Sequence, residues 1–152
     1  MSHLRRLTLS LSLLLSSTAL APVAAQTMSE TIQTSAGAMQ VSAVVTGLDE
    51  PWAFGFLPDG KIVVTERDGR VLLVTPGGAA VALRTPPESH SDGQGGLLDV
   101  LVPRDFAQSR TLFFTHAKRQ GRGSGTAVTK AVLNAEGTAL TNHETILEIA
   151  SG

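Results

Sequence analysis

The stretch Leu57-Pro58-Asp59-Gly60-Lys61-Ile62-Val63-Val64-Thr65-Glu66-Arg67-Asp68-Gly69-Arg70-Val71-Leu72-Leu73-Val74-Thr75 decides the fold. Pro-Asp-Gly is a turn with a mechanism, because proline presets φ and glycine accepts positive φ. The β-branched run Lys61–Glu66 reads as a strand, Arg67-Asp68-Gly69 as a second turn and Arg70–Thr75 as the next strand. Pro76-Gly77-Gly78 turns again into Ala79–Arg84, and apolar Trp52–Leu57 precedes the first turn. Short strands and turns alternating every ten residues or so predict antiparallel sheets.

The same texture continues in both directions. Residues 85–96 carry two prolines and three glycines and read as a loop. Leu97–Val102 is a strand, Pro103–Arg110 a turn and Thr111–Ala117 a strong strand. Lys118–Gly125 reads as a charged, glycine-rich hairpin loop between Thr111–Ala117 and Thr126–Leu133. Asn134–Asn142 is a hairpin region before a last strand, Thr145–Ala150. No stretch sustains a helical period, so the expected class is all-β. The two halves echo each other. Leu57-Pro58-Asp59-Gly60 before Lys61–Thr65 parallels Val102-Pro103-Arg104-Asp105-Phe106 before Thr111–Thr115, and Pro58 and Pro103 are 45 residues apart. That offset lies within the ~40–50 residues of one four-stranded propeller blade.

The N-terminal region has a different character. Arg5 and Arg6 precede apolar, serine-containing Leu7–Leu20, and Ala21-Pro22-Val23-Ala24-Ala25 supplies small residues for a signal peptidase. Residues 1–25 are expected to be a signal peptide cleaved near Ala25, which places the protein in the periplasm or outside the cell. The apolar run is too short to suit a membrane span, and no other segment approaches that length. Residues 26–39 are small and polar and read as a flexible leader. Removing the signal takes away two arginines and no acid, moving the net charge from −1 to −3. No basic face for nucleic acid is implied. The absence of cysteine excludes thiol catalysis and thiolate metal sites.

One loop carries chemistry. Asp92-Gly93-Gln94-Gly95-Gly96-Leu97-Leu98-Asp99 sets a single amide among three glycines. Glycines let the backbone approach a ligand closely, and an amide both donates and accepts, which suits sugar hydroxyls. A plain glycine-rich turn is the competing reading. The histidines offer less. His90 shares the loop and reads as solvated. His116 alternates with Leu112 and Phe114 and so occupies a half-buried strand position. His143 lies in Asn142-His143-Glu144, a turn in this reading, and one histidine beside one glutamate is weak evidence for a metal. Asp49, Glu50, Asp59, Glu66, Asp68, Asp92 and Asp105 flank turns. Asp99, inside an apolar strand, is expected to hydrogen-bond neighbouring backbone. Gly121-Arg122-Gly123-Ser124-Gly125 lacks the lysine and the strand-to-helix context of a phosphate loop.

Three segments in this order and spacing carry a family resemblance: Gly47-Leu48-Asp49-Glu50-Pro51-Trp52-Ala53-Phe54-Gly55-Phe56-Leu57-Pro58-Asp59-Gly60, Val64-Thr65-Glu66-Arg67-Asp68-Gly69-Arg70, and Gly93-Gln94-Gly95-Gly96-Leu97-Leu98-Asp99-Val100 with Asp105-Phe106. Together they resemble the opening of the soluble glucose/sorbosone dehydrogenases, the PQQ-dependent aldose sugar dehydrogenases. The likeness spans residues 40–150. It implies a six-bladed β-propeller that binds pyrroloquinoline quinone (PQQ) and calcium and oxidises the C1 hydroxyl of aldoses to lactones. It implies that Gln94 binds the sugar and that Trp52 and Phe54 pack between blades. Six blades need about 240 residues, so residues 40–152 are expected to form two to three blades, the N-terminal portion of a longer parent. In the family the catalytic histidine follows the segment matching Ile146–Gly152, and the PQQ and calcium ligands come later still. No catalytic, cofactor or metal residue is therefore expected in this segment, which alone should be inactive. A homodimer is compatible with the full-length parent. The alternative is a secreted, non-catalytic propeller that binds carbohydrate or protein, since the fold alone does not fix function.

Overall fold

The computed structural model describes residues 29–150. The expected signal peptide lies outside the described residues. Ten strands and one helical turn are formed: β1 (Ser29–Thr34), β2 (Gly37–Ser42), β3 (Pro51–Phe56), β4 (Ile62–Glu66), β5 (Val71–Val74), β6 (Ala80–Ala82), β7 (Leu97–Leu101), α1 (Phe106–Ser109), β8 (Thr111–Gln120), β9 (Gly123–Leu133) and β10 (Leu140–Glu148). They make a two-stranded hairpin, β1-β2, and two four-stranded antiparallel sheets ordered β3-β4-β5-β6 and β7-β8-β9-β10. In each four-stranded sheet every strand pairs with its sequence neighbour, the up-and-down order of a propeller blade.

The turns close where the sequence places them. Gly60 N donates to Leu57 O at 3.0 Å, Gly69 N to Glu66 O at 2.9 Å and Gly78 N to Thr75 O at 2.8 Å. Gly60 and Gly69 sit at φ +83° and +103°, where a side chain is strained. At the first of these turns Asp59 accepts from Lys61 N and pairs with Lys61 Nζ. That side-chain bond, chiefly, lowers the Asp59 pKa below its usual 3.8.

Three segments differ from the sequence reading. Of residues 26–39, read as a leader, those from Ser29 onward lie in the β1-β2 hairpin, with Thr34 opposite Gly37. Both its faces are exposed, and β1 carries a single apolar residue, Ile32, so no alternation announces that strand. Lys118–Gly125, read as a loop, is mostly strand: β8 runs to Gln120 and β9 starts at Gly123, leaving a two-residue turn. The Lys118–Glu148 ion pair supports the extended end, and a Cβ on Gly125 would lie 2.2 Å from Ile149 O, so this glycine admits the chain that follows β10. His143, read into a turn, lies within β10, where the β9 register shifts between Thr141 and Glu144. Asn142 there has φ +52°, so this is a bulge rather than a chain reversal.

The core lies between the two larger sheets. Val63, Val71, Leu73 and Leu83 from the first pack with Leu97, Val100, Leu112, Phe114, Ala131, Leu133 and Leu140 from the second, with Leu57 and Phe106 closing one end. The sheets approach closely at β3: a Cβ on Gly55 would lie 2.6 Å from Val102 Cγ2. Burying an apolar side chain of this size stabilises by about 1.5–3 kcal/mol, and Phe114 and Leu112 are fully buried. Trp52 and Phe54 were expected between blades. Between these two sheets Ala53 and Gly55 of β3 take the facing positions, while Trp52, Phe54 and Phe56 lie exposed on the opposite face. There they line an apolar groove of about 460 Å³ with Val44, Val45, Leu48 and Val64.

Candidate functional site

The connection from the first sheet to the second, residues 83–96, carries Gln94. Its tip is a tight turn in which Gly95 N donates to Asp92 O at 2.8 Å. Gly93 adopts φ +55° to make it. Gln94 is exposed, and its amide bonds to no other described residue. A side chain held out on a bonded turn, with donor and acceptor both open, is equipped to read a hydroxyl-bearing ligand.

Below that tip the loop is anchored on both sides. On the β8 side, His90 N donates to Ala117 O and Ala117 N donates to Gly96 O, both at 2.8 Å. On the β4-β5 turn side, Leu97 N donates to Arg67 O at 2.9 Å, and Ser91 Oγ donates to the same oxygen at 2.9 Å. The Arg67 guanidinium adds Nη1 bonds to Gly93 O at 3.1 Å and Gly95 O at 3.4 Å. Its Nε and Nη2 hold Glu50 Oε2 at 2.9 and 2.7 Å. Gly96 is required here, because a Cβ would lie 2.3 Å from Arg67 O. Arg67 and Glu50 read as turn residues from sequence. Their joint role needs the first sheet's turn to meet the second sheet's loop, and no spacing in the chain announces that meeting.

The carboxylate next to Arg67 is structural. Glu66 is fully buried and accepts from Asp49 N at 2.6 Å. Its Oε2 lies 2.6 Å from Arg70 Nε, an ion pair whose angles do not make a hydrogen bond. Asp99 behaves as its setting suggests: its carboxylate accepts from Val100 N at 2.8 Å, and its own N–H donates to Thr115 Oγ1.

The histidines divide by burial. His90 is half-buried and approaches the Arg119 guanidinium through Nδ1 at 3.3 Å. His116 is buried more deeply than a half-buried strand position, at 2 % exposure. Its Nε2 bonds Thr129 Oγ1 at 2.8 Å, and Thr129 bonds Thr145 Oγ1 at 3.1 Å. Burial, above all, lowers the His116 pKa below the usual 6.5, so the neutral ring is favoured. His143 is exposed on β10 and shares with His116, Lys118 and Glu88 the rim of a groove under Pro86 and Pro87. Among the described residues no group of three or more His, Cys, Asp or Glu side chains is placed to hold a metal ion. No described helix is long and apolar enough to cross a membrane.

Comparison with known proteins gives this geometry its context. The family model described as glucose/sorbosone dehydrogenase matches residues 48–152. The aldose sugar dehydrogenase YliI of Escherichia coli is 35 % identical over 111 residues, which cover 71 % of this chain and 30 % of that protein. A solved glucose dehydrogenase superposes with a TM-score of 0.66 at 34 % identity, over 69 % of this chain and 31 % of its own. The PQQ-bound aldose sugar dehydrogenase of Streptomyces coelicolor superposes with a TM-score of 0.63 over 84 % of this chain and 36 % of its own, and its 22 % identity speaks to fold alone. The chain thus spans about a third of the length of these relatives. With a family model covering most of its length and its loop and sheets ordered as described, the chain belongs to the glucose/sorbosone dehydrogenase family.

Proposed function

We propose that this chain forms the first two blades of a six-bladed β-propeller enzyme that oxidises the C1 hydroxyl of aldose sugars to lactones with PQQ and calcium. Gln94 is its sugar-facing residue. The observation that carries the reading is the exposed, uncommitted amide of Gln94 on a loop bonded to both sheets, in a chain whose relatives include an aldose sugar dehydrogenase.

Gln94 binds and orients. Its amide N–H donates to one sugar hydroxyl oxygen while its carbonyl accepts from a hydroxyl proton, holding the reacting carbon in one pose. Orientation of this kind lowers the entropic part of a barrier. The described residues do not fit the cofactor or its metal. Arg67, the cation bonded to the Gln94 loop, is engaged by Glu50 and two carbonyls, and no described cluster suits calcium. We assign proton removal and the cofactor's cradle to other blades of the parent, so this segment by itself is expected to be inactive. The signal-like residues 1–25 support a periplasmic or secreted location.

The test is reconstitution of the full-length parent with PQQ and calcium, followed by reduction of an artificial dye with several aldoses. Sugar-dependent reduction, weakened by Gln94→Ala, supports the reading. No reduction with any sugar favours a non-catalytic propeller.

A further inference from the structure

We infer that Arg67 is the positioning residue for Gln94, an assignment that rests on reading Gln94 as the sugar-facing amide. The Arg67 side chain reaches the carbonyls of Gly93 and Gly95, the two residues flanking Gln94. One guanidinium edge faces these carbonyls. The Nε and Nη2 donors face Glu50 Oε2, and the main-chain N–H of Arg67 donates to Glu50 O at 3.1 Å. Glu50 thus fixes Arg67, and Arg67 fixes the turn.

The main chain adds a second hold on the same loop. Arg67 O accepts from Leu97 N and shares the single Ser91 hydroxyl proton with Asp68 Oδ1, which lies 3.1 Å from Ser91 Oγ. Gly96 packs so close to Arg67 that no Cβ fits between them. Residues 91–97 are therefore held to the β4-β5 turn at four points: Ser91, Gly93, Gly95 and Leu97. Gln94 is the exposed side chain at the centre of that frame.

The chemistry selects arginine. A planar guanidinium presents five donors in a fixed fork and can hold a carboxylate on one side and carbonyls on the other. A lysine ammonium is a compact point charge and cannot span both sets. Arginine side chains are costly to order, but Glu50 already orders this one. The backbone that carries Gln94 is thus held in one place before a sugar arrives, which lowers the cost of binding.

The test compares Arg67→Ala, Gln94→Ala and the double variant in the full-length protein loaded with PQQ and calcium, with D-glucose as substrate. Amide exchange of Gly95 and Leu97 is followed without cofactor, with the remote turn amide of Gly78 as control. Arg67→Ala is expected to lower kcat/KM about tenfold or more and to speed Gly95 exchange about tenfold, leaving Gly78 unchanged. Because Arg67 acts through Gln94, the double variant should lose no more than Gln94→Ala alone, whereas an independent structural role adds its own loss. Should Arg67→Ala fail to fold, Arg67→Lys retains charge and stem but not the fork, and is expected to repeat both effects more weakly. Additive losses, or wild-type kinetics in the Arg67 variants beside an impaired Gln94→Ala, overturn the positioning role and leave Gln94 in place. A silent Gln94→Ala overturns the sugar-facing reading and this inference with it.

Discussion

Gly96→Ala tests the contact between the two sheets at the loop. The added Cβ would lie 2.3 Å from Arg67 O, 2.7 Å from Arg67 Cγ and 3.1 Å from Arg67 C. The nearest neighbour is backbone, so it cannot rotate away. Relief requires the loop to lift from the β4-β5 turn, which stretches Leu97 N to Arg67 O and Ala117 N to Gly96 O, now 2.9 and 2.8 Å. Overpacking of this kind costs about 1–3 kcal/mol and each of the two weakened hydrogen bonds about 0.5–1.5 kcal/mol, giving a destabilisation of roughly 2–6 kcal/mol. Urea unfolding followed by tryptophan fluorescence measures it, since Trp52 is the single tryptophan. Gly55→Ala is the comparison. Its Cβ would meet the Val102 side chain at 2.6 Å rather than backbone, so a neighbour that can shift should make it milder. A Gly96→Ala protein within about 0.5 kcal/mol of the parent, where unremarkable surface changes fall, would refute the steric reasoning.

Three other outcomes follow from the same structure. Gln94→Ala in the full-length protein should weaken aldose oxidation by about 1–3 kcal/mol in the kcat/KM ratio, because a bound hydroxyl loses its partner, and steady-state dye reduction measures it. Phe114→Ala should destabilise by about 3–5 kcal/mol, the range for emptying a buried aromatic site, since Phe114 is fully buried between the sheets; thermal or urea unfolding checks this. His116 should make stability fall on acidification: its folded pKa lies below the unfolded 6.5, so below that pH the unfolded chain takes up the proton more readily and unfolding is favoured. Its contribution is complete above pH 6.5 and is lost as pH falls toward the folded value. His116→Gln, whose amide does not titrate in this range, should flatten the profile between pH 7 and 5 in denaturant titrations.

The all-β class was legible because turn residues announce themselves locally. Pro58-Asp59-Gly60 and Arg67-Asp68-Gly69 each close the turn their types predict. The loop at Asp92–Gly96 was legible for the same reason, and its glutamine stood out as the one amide among glycines. The β1 strand was not legible, because Ile32 is its one apolar residue and nothing in it alternates. The long β8-β9 ends looked like loop, because glycine and charge at a sheet end resemble a turn until Ile149 and Glu148 are seen beside them. Trp52 and Phe54 illustrate a different limit. Alternation puts them on one face of a strand, but says nothing about which sheet lies against it.

By itself the sequence determined the strand-and-turn order, the family and the single amide set among the loop glycines, since each is carried by short-range conformational preference or by motifs contiguous in the chain. Only the tertiary structure decided that Glu50 and Arg67 hold the Gln94 loop, that His116 is buried, and that Gly55 and Gly96 mark the places where sheets and loop touch. Those facts depend on atoms brought together from separate sheets, where steric exclusion and hydrogen-bond distance act across space rather than along the chain.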